Sequence, residues 1–200
     1  MNILTEKLPR QVEIDGVKYN INCDFRTSIN FELLIQESEM SGTEKVNNAL
    51  KLYFRDIPKN TDLAIEKILW FYSCGKNSQN ESKTNKNHQI GFVQRAYSFK
   101  HDSNYIYSAF YQQYRIDLTK EELHWWKFKA LFNSLMDDCL FSKIMYYRTV
   151  EINSKMGKEY QQKLRKLKEI YALPLTNTEQ QQIDDFENAL MEGDLSKFEI

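Results

Sequence analysis

Two hundred residues, 42% hydrophobic and 28% charged, suffice to bury roughly two thirds of the surface that the unfolded chain would expose. A formal net charge of −1 gives no global attraction to nucleic acid, and no apolar run approaches the roughly 18 residues that a membrane span needs. With 14% aromatic residues, six Gly and three Pro, the composition favours helices with short connections and a mainly α fold, a helical bundle.

The opening MNILTEKLPRQVEID lacks the apolar stretch and small-residue cleavage site of a signal peptide, so the chain is expected in the cytoplasm. The first patterned unit is QVEIDGVKYNI, two alternating runs around Asp15-Gly16, a pair suited to the positive φ angles of a type I′ hairpin. That turn sets Ile14 opposite Val17 and Val12 opposite Tyr19 on an apolar face, with Glu13 and Lys18 paired on the other. A two-stranded ribbon is marginal in water, so Val12, Ile14, Val17 and Tyr19 are expected to lie on helices of the same chain or on another molecule's sheet.

Asp24 can cap a helix to about Glu39, with Phe25, Ile29, Leu33 and Leu34 at helical spacing. Ser41 and Glu44 have capping-box spacing ahead of Val46, Ala49, Leu50, Tyr53 and Phe54, a helix ended by Pro58. Asn60 or Thr61 starts the next, with Leu63, Ile65, Ile68, Leu69 and Phe71 leading to Gly75 as its stop. GKNSQNESKTNKNHQ is nearly devoid of apolar side chains and is expected to be a mobile loop over about 76–90. Beyond it, Asp102 or Ser103 caps one helix, and Thr119 with Glu122 has capping-box spacing for another. Further helices are expected at about 139–150, 157–172 and 178–191. Residues 1–173 thus read as one mostly helical domain, with 174–200 as an acidic helical extension.

LHWWKFKALFNSL, residues 123–135, is apolar on two faces when wound as a helix. Trp125, Phe128, Phe132, Leu135 and Met136 gather on one side, and Leu123, Trp126 and Ala130 on nearly the opposite side. Such a segment is either sandwiched in its own domain or is a core wall on one side and a partner-contact surface, centred on Trp126, on the other.

Catalytic and ligand-binding patterns are missing. His88, His101 and His124 stand in no HxxxH, HExxH or Cys/His ligand spacing, so no metal is expected. Cys23, Cys74 and Cys139 show no CxxC spacing and read as free thiols filling apolar space. There is no GxSxG elbow, and the glycines are too scattered to cradle a phosphate or dinucleotide. Asp137-Asp138 and Asp184-Asp185 read as caps and solvated faces. The chain is expected to have no cofactor and not to be an enzyme.

Charge is distributed unevenly. Lys143, Arg148, Lys155, Lys158, Lys163, Arg165, Lys166 and Lys168 form a basic stretch, and Glu179, Asp184, Asp185, Glu187, Glu192, Asp194 and Glu199 an acidic one. These read as two solvated faces that attract each other locally. Two functional readings compete: the basic helix holds nucleic acid, or the acidic tail docks on a neighbouring subunit. With a near-neutral total and no base-reading motif, nucleic acid is the less favoured.

Four stretches in order carry a family resemblance: VEIDGVKYNINCDFRTSINF, ALKLYFRDIPKNTDLAIEKILWFYSCGK, YSFKHDSNYIYSAFYQQYRIDLTKEELHWWKFKALFNSL and KEYQQKLRKLKEIYAL. Over about residues 10–173 the chain resembles the bacteriophage gp-fifteen family of phage tail-region proteins; the acidic tail is outside that pattern. The resemblance implies a tail assembly chaperone, encoded near the tape-measure gene, that self-associates into a homo-oligomer. It would coat the tape-measure protein in the bacterial cytoplasm, recruit tail-tube protein, and be absent from the virion. A structural tail or head-completion protein retained in the virion is the alternative, and a nucleic-acid-binding regulator a third. The partner-contact residues expected are Trp126, Leu123, Ala130, Val12, Ile14, Val17 and Tyr19, with Lys158, Lys163, Arg165, Lys166 and Lys168 as a basic face.

Overall fold

A computed structural model describes residues 2–37, 39–76, 95–175 and 180. The loop expected at 76–90 lies outside these from residue 77 on, as does the helix expected at 178–191 apart from Gln180. Among the described residues the fold is mainly α: a two-stranded hairpin, β1 (Gln11–Ile14) and β2 (Val17–Asn20), and seven helices. These are α1 (Phe25–Gln36), α2 (Gly42–Tyr53), α3 (Thr61–Tyr72), α4 (Ser103–Tyr114), α5 (Trp125–Asn133), α6 (Leu140–Thr149) and α7 (Lys158–Ile170). They form two compact units where the sequence suggested one domain: residues 2–76 with 114–134, and 95–113 with 135–175.

In the first unit the hairpin has the expected register, Val12 opposite Tyr19 and Ile14 opposite Val17. Asp15 and Gly16 turn it at φ 50° and 75°, the left-handed angles of a type I′ turn. Asn60 fastens the turn to α3: its Oδ1 accepts from the Leu63 N–H as the N-cap, and its Nδ2 donates to the Asp15 carboxylate. β1 packs on α3; Val12 and Ile14 are buried, whereas Val17 is 53% exposed and Tyr19 half-buried, its ring edge-on to Phe54. Of the four residues expected to lie on helices of the same chain or on another molecule's sheet, Val12 and Ile14 are covered within this chain and Val17 is not.

Asp24 caps α1 through the Arg26 N–H, and Ser41 with Glu44 forms the full capping box of α2. α2 ends at Tyr53, five residues before Pro58, and the Tyr53 carbonyl accepts from the Asn22 N–H. Burial raises the Tyr53 phenol above its ordinary pKa, and its hydroxyl shares a 2.9 Å hydrogen bond with buried Ser28. Gly75, at φ 75°, follows α3 and donates its N–H to the Trp70 carbonyl.

Two caps suggested by spacing are not formed. The Asp117 carboxylate accepts from both the N–H and the hydroxyl of Thr119 in an exposed turn, and the helix starts only at Trp125, capped by His124. The reason is long-range: the Arg26 guanidinium takes the Leu118 and Glu121 carbonyls, holding residues 118–121 against α1. Asp102, likewise, turns its carboxylate into the core of the second unit.

There it is 1% exposed and accepts 2.6 and 2.8 Å hydrogen bonds from both terminal nitrogens of Arg148, 5% exposed, and another from the Ser98 N–H. The same guanidinium donates to the carbonyls of Ala96 and Tyr171, and Lys168 Nζ donates to the Arg148 carbonyl. One ion pair on α6 therefore fastens the entry to α4 and the exit of α7 around Phe141, Ile144 and Leu164. The cysteines are all half-buried, short of the buried setting expected; Cys139 caps α6 through the Ser142 N–H.

Removing one member of a buried pair leaves the other charge without its counterion, which costs about 3–5 kcal/mol. Asp102→Ala should therefore strip hydrogen-exchange protection from the amides of α6 and α7, and Asp102→Leu combined with Arg148→Met should restore most of it.

Candidate interaction surface

The dipeptide Trp125-Trp126 owes its position to two N-caps set side by side. Asp24 and His124 face each other in an antiparallel bridge, in which the Phe25 N–H donates to the Leu123 carbonyl and the Trp125 N–H to the Cys23 carbonyl. α1 and α5 thus begin from one shared pair of backbone hydrogen bonds. His124 Nδ1 accepts from the Trp126 N–H, so the proton sits on Nε2, 2.9 Å from the Pro9 carbonyl. Burial holds this imidazole below its ordinary pKa, which keeps Nδ1 free to accept.

From that start both indoles reach the last turn of α3. Trp125 Nε1 donates to the Tyr72 carbonyl at 2.8 Å and Trp126 Nε1 to the Phe71 carbonyl at 2.7 Å. The last carbonyls of a helix lack an i+4 partner within it; here an indole N–H meets that of Tyr72, and another joins the Cys74 backbone N–H on that of Phe71. Trp125 stacks on Tyr72 and Phe128, and Phe128 on Phe25, while Trp126 meets Trp70 edge-on and lies against Phe71. A Cβ added at Gly75 would come within 3.0 Å of the Trp126 ring, so the glycine meets both a positive φ and a close approach.

Trp126 is 5% exposed, which corrects the expectation that it presents a contact surface. The second apolar face of the helix dissolves with it: Leu123 precedes α5 and is half-buried, and Ala130 is exposed. Val12 and Ile14 belong to the core as well, leaving Val17 and part of Tyr19 accessible on the ribbon. On α7, Lys158, Lys163, Arg165 and Lys166 are exposed, whereas Lys168 is half-buried through its bond to the Arg148 carbonyl. The outward side is mixed, since exposed Glu159 and Glu169 stand among these bases. No three His, Cys, Asp or Glu side chains converge to hold a metal among the described residues, and none of the described helices is long and apolar enough to cross a membrane.

One accessible apolar surface of the first unit lies between α1 and α2. Leu33, Leu34, Met40 and Leu52, with charged Glu37 and Lys51, line an open groove of about 460 Å³. Lys45 Nζ donates to the Ile35 carbonyl at 2.8 Å and holds the two helix ends together there; Ile35, Met40 and Val46 nearby are exposed. Helical spacing in the sequence marked Leu33 and Leu34 as core; that they are only half-buried depends on how α2 crosses α1.

Trp126→Ala should lower the stability of the first unit by about 3–5 kcal/mol, as for other truncated core aromatics, with chemical denaturation as the measurement. His124 supplies a pH dependence. Its folded pKa lies below the ordinary value of 6.5, so the unfolded chain takes up the proton first. Stability is full above that value and declines as pH falls through it; in His124→Asn, whose side-chain oxygen can still accept from the Trp126 N–H, this decline should disappear from a series of melts at falling pH.

No curated protein and no solved structure matches this chain at a significant level. The family model described as Bacteriophage Gp15 protein matches residues 4–173, a span that contains the hairpin, the Asp24–His124 bridge, the tryptophan-capped α3 and the Arg148–Asp102 pair. The chain belongs to the Bacteriophage Gp15 protein family.

Proposed function

We propose that this phage protein is a non-catalytic tail assembly chaperone that self-associates and holds the tape-measure protein in the host cytoplasm until tail-tube subunits replace it. The observation that carries the reading is the open α1–α2 groove in a member of this family. Its apolar Leu33, Leu34, Met40 and Leu52, beside Glu37 and Lys51, suit one face of an amphipathic helix, whose side chains at i, i+3, i+4 and i+7 would enter such a groove. The site is shallow, which matches the task. A coat that later subunits must displace needs weak contacts repeated along a long partner, with avidity supplying the hold. Val17 at the hairpin tip and Ala130 on α5 are further exposed positions that such a partner can touch.

Co-expression with the adjacent tape-measure gene tests this directly. The wild-type chain should co-purify with the tape-measure protein, and Leu34→Asp with Met40→Asp should reduce capture by about tenfold, equivalent to ~1.4 kcal/mol, with helicity unchanged by circular dichroism. Mass spectrometry of purified virions should find none of the protein; its presence at tail stoichiometry would favour a permanent structural component instead.

A further inference from the structure

The flank where α6 meets α7 combines exposed apolar side chains with positive charge. On α6, Leu140, Lys143 and Tyr146 recur at three-residue intervals and all are exposed. On α7, Tyr160, Lys163, Leu167 and Ile170 fall along one side of the helix. α6 packs on α7, which brings the two stripes together as one seam. Leu140 is 52% and Ile170 70% exposed in the folded chain, with Leu167 half-buried between them and the core.

The same chain carries a segment of the complementary kind. In TEQQQIDDFENALM, residues 178–191, the apolar residues Ile183, Phe186 and Leu190 recur at i, i+3 and i+7, and wound as a helix Asp185 and Glu187 would flank them on either side. Fourteen such residues would span ~21 Å, about the length of α7. Between 179 and 199 stand seven acidic residues and one Lys, so like charge repels this segment from copies of itself and favours a basic acceptor. From these observations we infer that the α6–α7 seam of one copy receives the acidic segment 178–191 of a second copy, apolar stripe on Leu140 and Ile170, carboxylates toward Lys143 and Lys163.

Donor segment and acceptor seam are different surfaces present on every copy, so the contact is head-to-tail and builds a ring or an open series of copies according to the rotation between neighbours. This rests on the chaperone reading to the extent that it gives the proposed self-association a surface.

The test uses full-length chains in sedimentation velocity across a concentration series at low and high salt. The wild type should gain mass with concentration and lose it with salt. Reversing the seam (Lys143→Glu with Lys163→Glu) or the segment (Asp185→Lys with Glu187→Lys) should each weaken association by about tenfold, and a chain carrying both reversals should recover it. Mixing the seam-reversed chain with the segment-reversed chain restores both pairings, acidic segment on basic seam and Lys-bearing segment on Glu-bearing seam, so the mixture should associate where each chain alone does not. Association unchanged by either reversal would overturn the inference, as would a wild type that stays monomeric at every concentration, the outcome if the segment folds onto its own seam. Capture of the tape-measure protein by the reversed chains is read separately; its persistence in a chain that no longer self-associates would separate the fate of this contact from that of the groove.

Discussion

The first unit depends on two indole N–H groups meeting the final carbonyls of α3. A helix end inside a core is costly unless its terminal acceptors find donors, since an unsatisfied buried carbonyl costs about 1–3 kcal/mol. Glycine and a left-handed turn usually solve this with the backbone alone. Here Gly75 takes up the carbonyl of Trp70, and the tryptophans take up those of Phe71 and Tyr72. Because the donors are also the largest side chains available, the bonds that close the helix bring its strongest apolar packing with them. Among the described residues no buried side-chain nitrogen or oxygen lacks a partner, so the dense aromatic packing has not been achieved at the expense of polar atoms.

The second unit solves its own problem differently. It contains none of the three tryptophans and is centred on a buried guanidinium that meets a carboxylate and two backbone carbonyls. Such a pair adds little net stability over apolar residues of equal volume. What it does is fix geometry, because the planar fork of Arg148 accepts only one arrangement of the residues entering α4 and leaving α7. Lys168, bound to the Arg148 carbonyl, is thereby withdrawn from the charged side of α7.

Function follows from what these two cores leave outside. Trp125 and Trp126 are interior and Trp70 is half-buried, so among the described residues the apolar surface left to another protein is scattered in small patches, the groove between α1 and α2, the tip of the ribbon and the flank of α6 with α7 among them. Patches of this size favour weak, repeated contacts over one tight interface. Net charge near zero adds no long-range field that would hold a partner before contact. The proposed chaperone role asks for this combination, binding that is sufficient in number and reversible one contact at a time.

The sequence by itself determined the mainly α class, the hairpin register and the caps at Asp24, Ser41 and Asn60, because each rests on residues within a few positions of one another. Asp15-Gly16 can adopt its turn whatever surrounds it, and Ser41 finds Glu44 one helical turn away. Tertiary structure decided everything that depends on partners far along the chain. Thr119 and Glu122 have the spacing of a cap, yet Arg26 holds the preceding carbonyls from 92 and 95 residues away. Asp102 stands where a cap belongs, but a guanidinium 46 residues on is a stronger partner for its carboxylate than a backbone N–H. Periodicity left Trp126 open between core and contact surface, since a wheel registers hydrophobic area and cannot register that an indole N–H has a carbonyl waiting 55 residues earlier. The α1–α2 groove was illegible for the converse reason: Leu33 and Leu34 carry a core pattern, and only the crossing of two helices leaves them partly open to water.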